Sequence, residues 1–168
     1  MSYSPSNLFL ATGNSRQRHL DLGRLGENCV CKFLAAANCK ILHQRWRCTR
    51  GEIDIIAWRN GTPDSAEQQA NLRFVEVKTR SSGSWDAGGL LAITPEKQAK
   101  LLQAAQMFLA SRPDLADLPC QFDVALVSCR RHWQKKQASV GAIGLGKPVI
   151  MGEYQLTIEQ YIEGAFSF

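Results

Sequence analysis

At 168 residues, with 45% hydrophobic and 21% charged side chains, the chain is sized for one globular domain with its own core. No run approaches the roughly 18 apolar residues of a membrane span, and the apolar patch at 8–11 lacks the length and basic lead-in of a signal peptide, so the expectation is a cytoplasmic protein with no membrane partner. The net charge of +5 is uneven: residues 1–147 carry 20 Lys and Arg against 12 Asp and Glu, whereas residues 148–168 carry three Glu and no Lys or Arg, a field that favours a polyanionic partner.

Residues 1–14 show no periodicity and read as a disordered tail, which leaves 15–168 as a single domain. A helix is predicted over Gln17–Ala37, where Leu22, Leu25, Gly26, Cys29, Val30, Phe33 and Leu34 recur at helical spacing and Asn38 supplies a stop. Gly23 and Gly26 each cost such a helix about 0.8–1 kcal/mol against alanine. Either close backbone packing or the close approach of a substrate would explain them. Ile41–Trp46 reads as a first strand, followed by the turn at 49–52 and a second strand over 52–58. Asn-Gly and Pro-Asp mark 59–71 as a hairpin loop before a third strand over 72–80. Ser81–Gly89 is polar and glycine-rich and reads as mobile.

The clearest helix begins at Thr94, an N-cap followed by Pro95 and Glu96. Leu101, Leu102, Ala105, Phe108 and Leu109 form its apolar stripe, and Arg112-Pro113 ends it. Phe122–Val127 reads as a strand and 129–148 as a basic connection. A strand near Tyr154–Thr157 and a short helix near Glu159–Ala165 close the chain. The order α-β-β-β-α-β, with a short C-terminal strand and helix, is that of an α/β protein with a mixed central sheet flanked by helices. The six cysteines, at 29, 31, 39, 48, 120 and 129, form no CxxC pair and read as reduced thiols packed among apolar groups.

The chemistry concentrates in the second and third strands. Period-2 alternation puts Phe74, Glu76, Lys78 and Arg80 on one face. It likewise groups Glu52, Asp54 and Ile56 opposite Ile53, Ile55 and Ala57. A half-buried carboxylate is costly unless it pairs with a cation or holds a metal. Opposed residues of a hairpin bring their Cβ atoms roughly 5 Å apart, close enough for Asp54 and Glu76 to share one ion. Magnesium takes oxygen ligands of this kind, and the backbone carbonyl of Val77 offers another. Lys78 then stands where an ammonium can orient a water or stabilise charge on phosphorus. Glu27, at the edge of the first helix's stripe, is a further acidic candidate, and Lys97 falls on the inward face of its helix. Asp123 wants a buried partner, with Arg45 or Arg47 the candidates. Arg45, Arg47, Arg50, Arg80 and Lys97 are candidate phosphate contacts, and Trp46 or Trp85 candidate stacking platforms.

The segments GRLGENCVCKFL, GEIDIIAW, FVEVKTR, ITPEKQAKLLQAAQMFL, QFDVALV and IEQYIEGAF, in this order from Gly23 to Phe166, resemble the YraN family of predicted endonucleases. That family is similar to archaeal Holliday junction resolvases and to the restriction-endonuclease-like PD-(D/E)xK superfamily. The resemblance implies a metal, Mg²⁺ or alternatively Mn²⁺, held by Asp54 and Glu76, with Lys78 as catalytic lysine and Glu27 as the acid from the N-terminal helix. It implies hydrolysis of DNA, branched DNA included, and a homodimer as an open alternative. The chain departs from the pattern at Gln121, where the family has arginine before Phe122-Asp123. A nucleic-acid-binding module that keeps the fold and cuts nothing, an interaction protein with a mere ion-pair network, and an RNA-directed nuclease are the rival readings.

Overall fold

A computed structural model describes residues 15–61, 69–81, 93–132 and 143–166. Its elements run α1 (Ser15–Ala36), β1 (Cys39–Cys48), β2 (Gly51–Arg59), β3 (Asn71–Ser81), α2 (Pro95–Ser111), a 3₁₀ turn (Pro113–Leu115), β4 (Cys120–Arg131), β5 (Pro148–Met151) and β6 (Tyr154–Phe166). The tail at 1–14, the loop tip at 62–68, most of Ser81–Gly89 with Trp85, and Lys135 and Lys136 lie outside the described residues.

The six strands form one sheet in the order β1-β2-β3-β4-β6-β5. Among the described residues only β3 and β4 pair in parallel, as the intervening α2 crossover requires. Each helix covers one face. Cys29, Val30 and Leu34 of α1 pack with Ile55, Ala57, Val75, Ala125 and Val127. Leu101, Ala104, Ala105 and Phe108 of α2 pack with Ile56, Phe74, Phe122, Val124 and Leu126. Alternation in β3 and β4 thus feeds two separate apolar layers, which is why both strands read as nearly continuous apolar runs. Trp46 packs edge-to-face on Phe108, its ring centroid 5.5 Å away, and so belongs to the α2 layer.

Two details position the site. Gly26 lets α1 settle on β3: a Cβ there would lie 1.9 Å from Thr79 Oγ1 and 3.0 Å from Thr79 Cβ. Close packing, the first of the two explanations for this glycine, is what it provides. Gly23 meets nothing within 4 Å. The second detail is a break in β2. Ile53 joins Ile56 in the α2 layer while Ile55 and Ala57 join the α1 layer, so strict alternation fails around Asp54. There β2 stays on β1 but leaves the β3 ladder, whose last pair is Ile55 with Val75.

The predicted C-terminal helix at Glu159–Ala165 does not form, because β6 continues to Phe166. Two register shifts interrupt the β4–β6 ladder: the one between Leu126 and Val127 inserts a single residue into β6 and flips its phase, and the one between Phe122 and Val124 inserts two and leaves the phase unchanged. Leu156 and Ile158 therefore face α1, whereas Ile162 and Phe166 reach the α2 layer. Apolar positions that skip in this way imitate helical spacing. The connection expected at 129–148 is shorter, since β4 runs to Arg131 and β5 starts at Pro148.

Candidate active site

Glu76 sits in β3 between two valines, with its side chain only 4% exposed. Its Oε1 accepts a hydrogen bond from Lys78 Nζ at 2.7 Å. Lys97 Nζ, from the first turn of α2, stands 3.3 Å from the same oxygen. Thr94 secures that turn by accepting the backbone N–H of Lys97. Glu76 Oε2 has no hydrogen-bond partner among the described residues, which for a buried carboxylate oxygen is costly.

Asp54 occupies the position just past the end of the β2–β3 ladder. Its Oδ2 accepts the Val77 N–H at 2.8 Å, supplying the acceptor that the departing strand withdraws. Burial pushes its carboxyl up to about 7, and the charge of Glu76 adds to the push, against the Val77 N–H and Lys97. The two carboxylates therefore work on one another at the same end of the sheet.

Glu27 reaches this end from α1, carried by the Gly26 contact with β3. Its side chain is 9% exposed, and Arg45 Nε lies 3.7 Å from its Oε2, beyond hydrogen bonding; that oxygen also lacks a hydrogen-bond partner among the described residues. Burial is the main cause raising this carboxyl above its usual range, with Arg45 opposing and Glu76 among the groups that add to it. Three carboxylates from three elements thus sense one field.

The cations divide into two groups. Lys78 and Lys97 are half-buried against Glu76. Arg45 and Arg47 are both held by Glu52, whose Oε1 takes Arg45 Nε at 3.0 Å and whose Oε2 takes Arg47 Nε at 2.8 Å. Arg47 remains 68% exposed in that pair. Arg50, in the β1–β2 turn, and Arg80, near the end of β3, are exposed. Sequence reasoning missed Glu52 as the organiser of this rim, although Arg47 and Glu52 are direct partners across the turn.

Asp123 pairs with Arg73, at 3.0 Å, and not with Arg45 or Arg47. It also accepts from Tyr161 Oη, Gly164 N and Gln121 Nε2. Asp123 takes the α1 side of β4, opposite Val75 in the ladder, and Arg73 lies two residues before that valine. A charged residue near the start of each apolar strand run was the available signal.

Among the described residues no three histidine, cysteine or carboxylate side chains converge as a closed metal cage. What the described residues bring together is the pair Asp54 and Glu76, with Glu27 acting on both by charge.

A mixed six-stranded sheet covered by one helix on each face, with a cluster of carboxylates and lysines where the β2–β3 ladder ends, defines an α/β protein with a restriction-endonuclease-like core. Residues 26–127 match the sequence profile of Uncharacterised protein family UPF0102, and the chain belongs to that family. It is 43% identical over 162 residues to a UPF0102 protein of Acaryochloris marina, covering 92% of this chain and 94% of that one. It is 44% identical over 162 residues to a UPF0102 protein of Trichodesmium erythraeum, covering 88% and 89%. Against a UPF0102 protein of Synechocystis the identity is 40% over 153 residues, covering 87% and 97%. None of the helices among the described residues is long and apolar enough to cross a membrane.

Proposed function

We propose that this protein hydrolyses phosphodiester bonds in DNA, branched DNA included, with a divalent cation, Mg²⁺ or Mn²⁺, held by Asp54 and Glu76. The observation that carries the reading is Glu76: a buried carboxylate with one oxygen held between two ammonium groups and the other unpartnered, beside an Asp54 carboxyl lifted to about 7. Such a pair is expensive without a cation. A hard divalent ion needs only one or two carboxylates when water and phosphate complete its shell, so an open donor set fits. The Val77 carbonyl suits the third protein position. Its N–H crosses to Asp54, and a residue in an antiparallel strand directs its N–H and C=O to the same neighbour.

The cation would supply Lewis acidity at the phosphoryl group. The rest falls to side chains of the chain. Lys78 Nζ, fixed on Glu76 Oε1, places an ammonium beside the cluster, where it orients the attacking water and offsets charge growing on the phosphate oxygens. Lys97 adds a second positive charge from α2. Glu27 takes the proton side of that water's hydrogen-bond network. Arg47, Arg50 and Arg80 approach the backbone phosphates, a contact that reads charge and not sequence.

The test is a cleavage panel of linear, flapped and four-way DNA with Mg²⁺ and with Mn²⁺. Wild type should cut at least one substrate, and Glu76→Ala and Lys78→Ala should each lose at least about a hundredfold, the usual scale for a general acid–base group. Equal activity in all three proteins rejects the site. The second reading is a module that binds nucleic acid without cutting it, with the Glu76–Lys78 and Glu76–Lys97 pairs as a purely structural ion-pair network. It predicts Mg²⁺-independent binding that Asp54→Ala leaves unchanged.

A further inference from the structure

Arg45 has a backbone setting that its strand does not require. It lies in the middle of β1 at φ +55°, left-handed geometry that residues with a side chain adopt rarely and that clusters where structure serves a site. Gln44 and Trp46 on either side pair with Ile55 and Ile53. Arg45 therefore falls opposite Asp54, at a position the ladder skips. Its Nε–H is given to Glu52 Oε1 at 3.0 Å, while Glu27 Oε2 waits 3.7 Å away with no hydrogen bond of its own. The Arg45 side chain is 26% exposed, less than half the exposure of the Arg47 side chain on the other oxygen of Glu52.

We propose that Arg45 is a tethered cation that balances the acidic pocket when no divalent ion is bound, and that it competes with such an ion instead of contacting phosphate. The proposal rests on the metal-dependent reading above. Its logic is the division of labour around the guanidinium. Glu52 holds the hydrogen bond, so Arg45 stays anchored at the rim. Glu27 is held by charge alone, so it can turn towards the water shell of an incoming ion without giving up a hydrogen bond. A fixed positive charge at that distance opposes a second one, so the ion binds less tightly than the carboxylates alone would allow.

Titration of the full chain with Mn²⁺ alone, followed by calorimetry in the absence of DNA, tests this. Arg45→Ala should tighten Mn²⁺ binding by about fivefold or more, the size of a typical coupling between sites. Arg45→Lys should restore wild-type affinity. Glu52→Gln should weaken Mn²⁺ binding by freeing Arg45 to swing onto Glu27. Adding that change to Arg45→Ala should then have no further effect, an outcome that loss of the Glu52 charge alone would not give. Thermal melts of each variant report folding, and Arg45→Lys carries the test if Arg45→Ala does not fold: it overturns the proposal if its Mn²⁺ affinity departs from wild type as far as that of Glu52→Gln. Wild type that binds Mn²⁺ with Arg45→Ala unchanged overturns this inference alone. Wild type that binds no Mn²⁺ overturns it together with the metal-dependent reading. An Arg45→Ala protein with unchanged Mn²⁺ affinity and a salt slope for DNA binding shallower by about one is the signature of a phosphate contact, and it too overturns the proposal.

Discussion

Asp54 is where the carboxylate cluster should be most costly to the fold. Its carboxyl is pushed up from an ordinary 3.8 to about 7, through burial first and Glu76 second. An acid whose folded pKa is raised binds more protons folded than unfolded between those two values, so metal-free stability falls as pH climbs through that window. Asp54→Asn keeps an oxygen for the Val77 N–H and removes the charge. In EDTA it should be more stable than wild type by roughly 2–4 kcal/mol at pH 8, with the gain vanishing near pH 4. Melting curves across that range check it, and an Asn variant no more stable at pH 8 than at pH 4 contradicts the assignment. The sequence already showed that this aspartate and Glu76 stand inside apolar runs. It did not show that Asp54 is aimed by the end of a ladder, because a missing hydrogen-bond acceptor at Val77 is a property of two strands together and leaves no mark on either.

At the scale of elements, the two glycines of α1 separate packing from helix propensity. Gly26→Ala places a methyl group within 1.9 Å of Thr79 Oγ1 and 3.0 Å of its Cβ, too close for a rotamer change alone to relieve. It should cost about 1–3 kcal/mol by overpacking and push Glu27 away from the sheet. Gly23→Ala meets open space and should gain up to about 1 kcal/mol from propensity. Urea unfolding of the two variants reads both signs; the same sign for both contradicts the packing argument. The other element-scale lock is the Arg73–Asp123 pair, which joins β3 to β4 and, through Tyr161 and Gly164, to β6. With Arg73 only 3% exposed, Arg73→Met strands a buried carboxylate and should cost about 3–5 kcal/mol, against a small cost for Arg112→Met at an exposed pair. The apolar stripes of both helices and the Thr94 cap of α2 were legible because their signals are local. β6 was not, since the register shifts in its ladder insert one residue and then two, which only the partner strand reveals, and the resulting spacing of Ile158, Ile162 and Phe166 reads as a helix.

Across the whole molecule the sheet order converts the uneven charge of the sequence into a direction. The excess of Lys and Arg lies in residues 1–147, and the last 21 residues contribute only Glu153, Glu159 and Glu163. Because β6 and β5 lie beyond β4, at the edge away from β1, Glu153 in the turn between them lies away from Arg47 and Arg50 of β1 and its turn. If the protein binds DNA as proposed, this field should steer the polyanion towards the side that carries Arg47 and Arg50, and the cations there should release counterions when it lands. If about four phosphates are neutralised, the logarithm of the affinity for four-way or duplex DNA should fall with the logarithm of salt at a slope near −3.6. Replacing Arg47 and Arg50 together by alanine should make that slope shallower by about two, one for each lost phosphate contact. Glu153→Ala, at the opposite edge and already bridged to Arg131, should leave the slope where it was. Affinity measured from low to physiological salt decides it: a slope indifferent to Arg47 and Arg50, or one that moves with Glu153, would mean that the polyanion approaches from the wrong edge for the pocket to reach it.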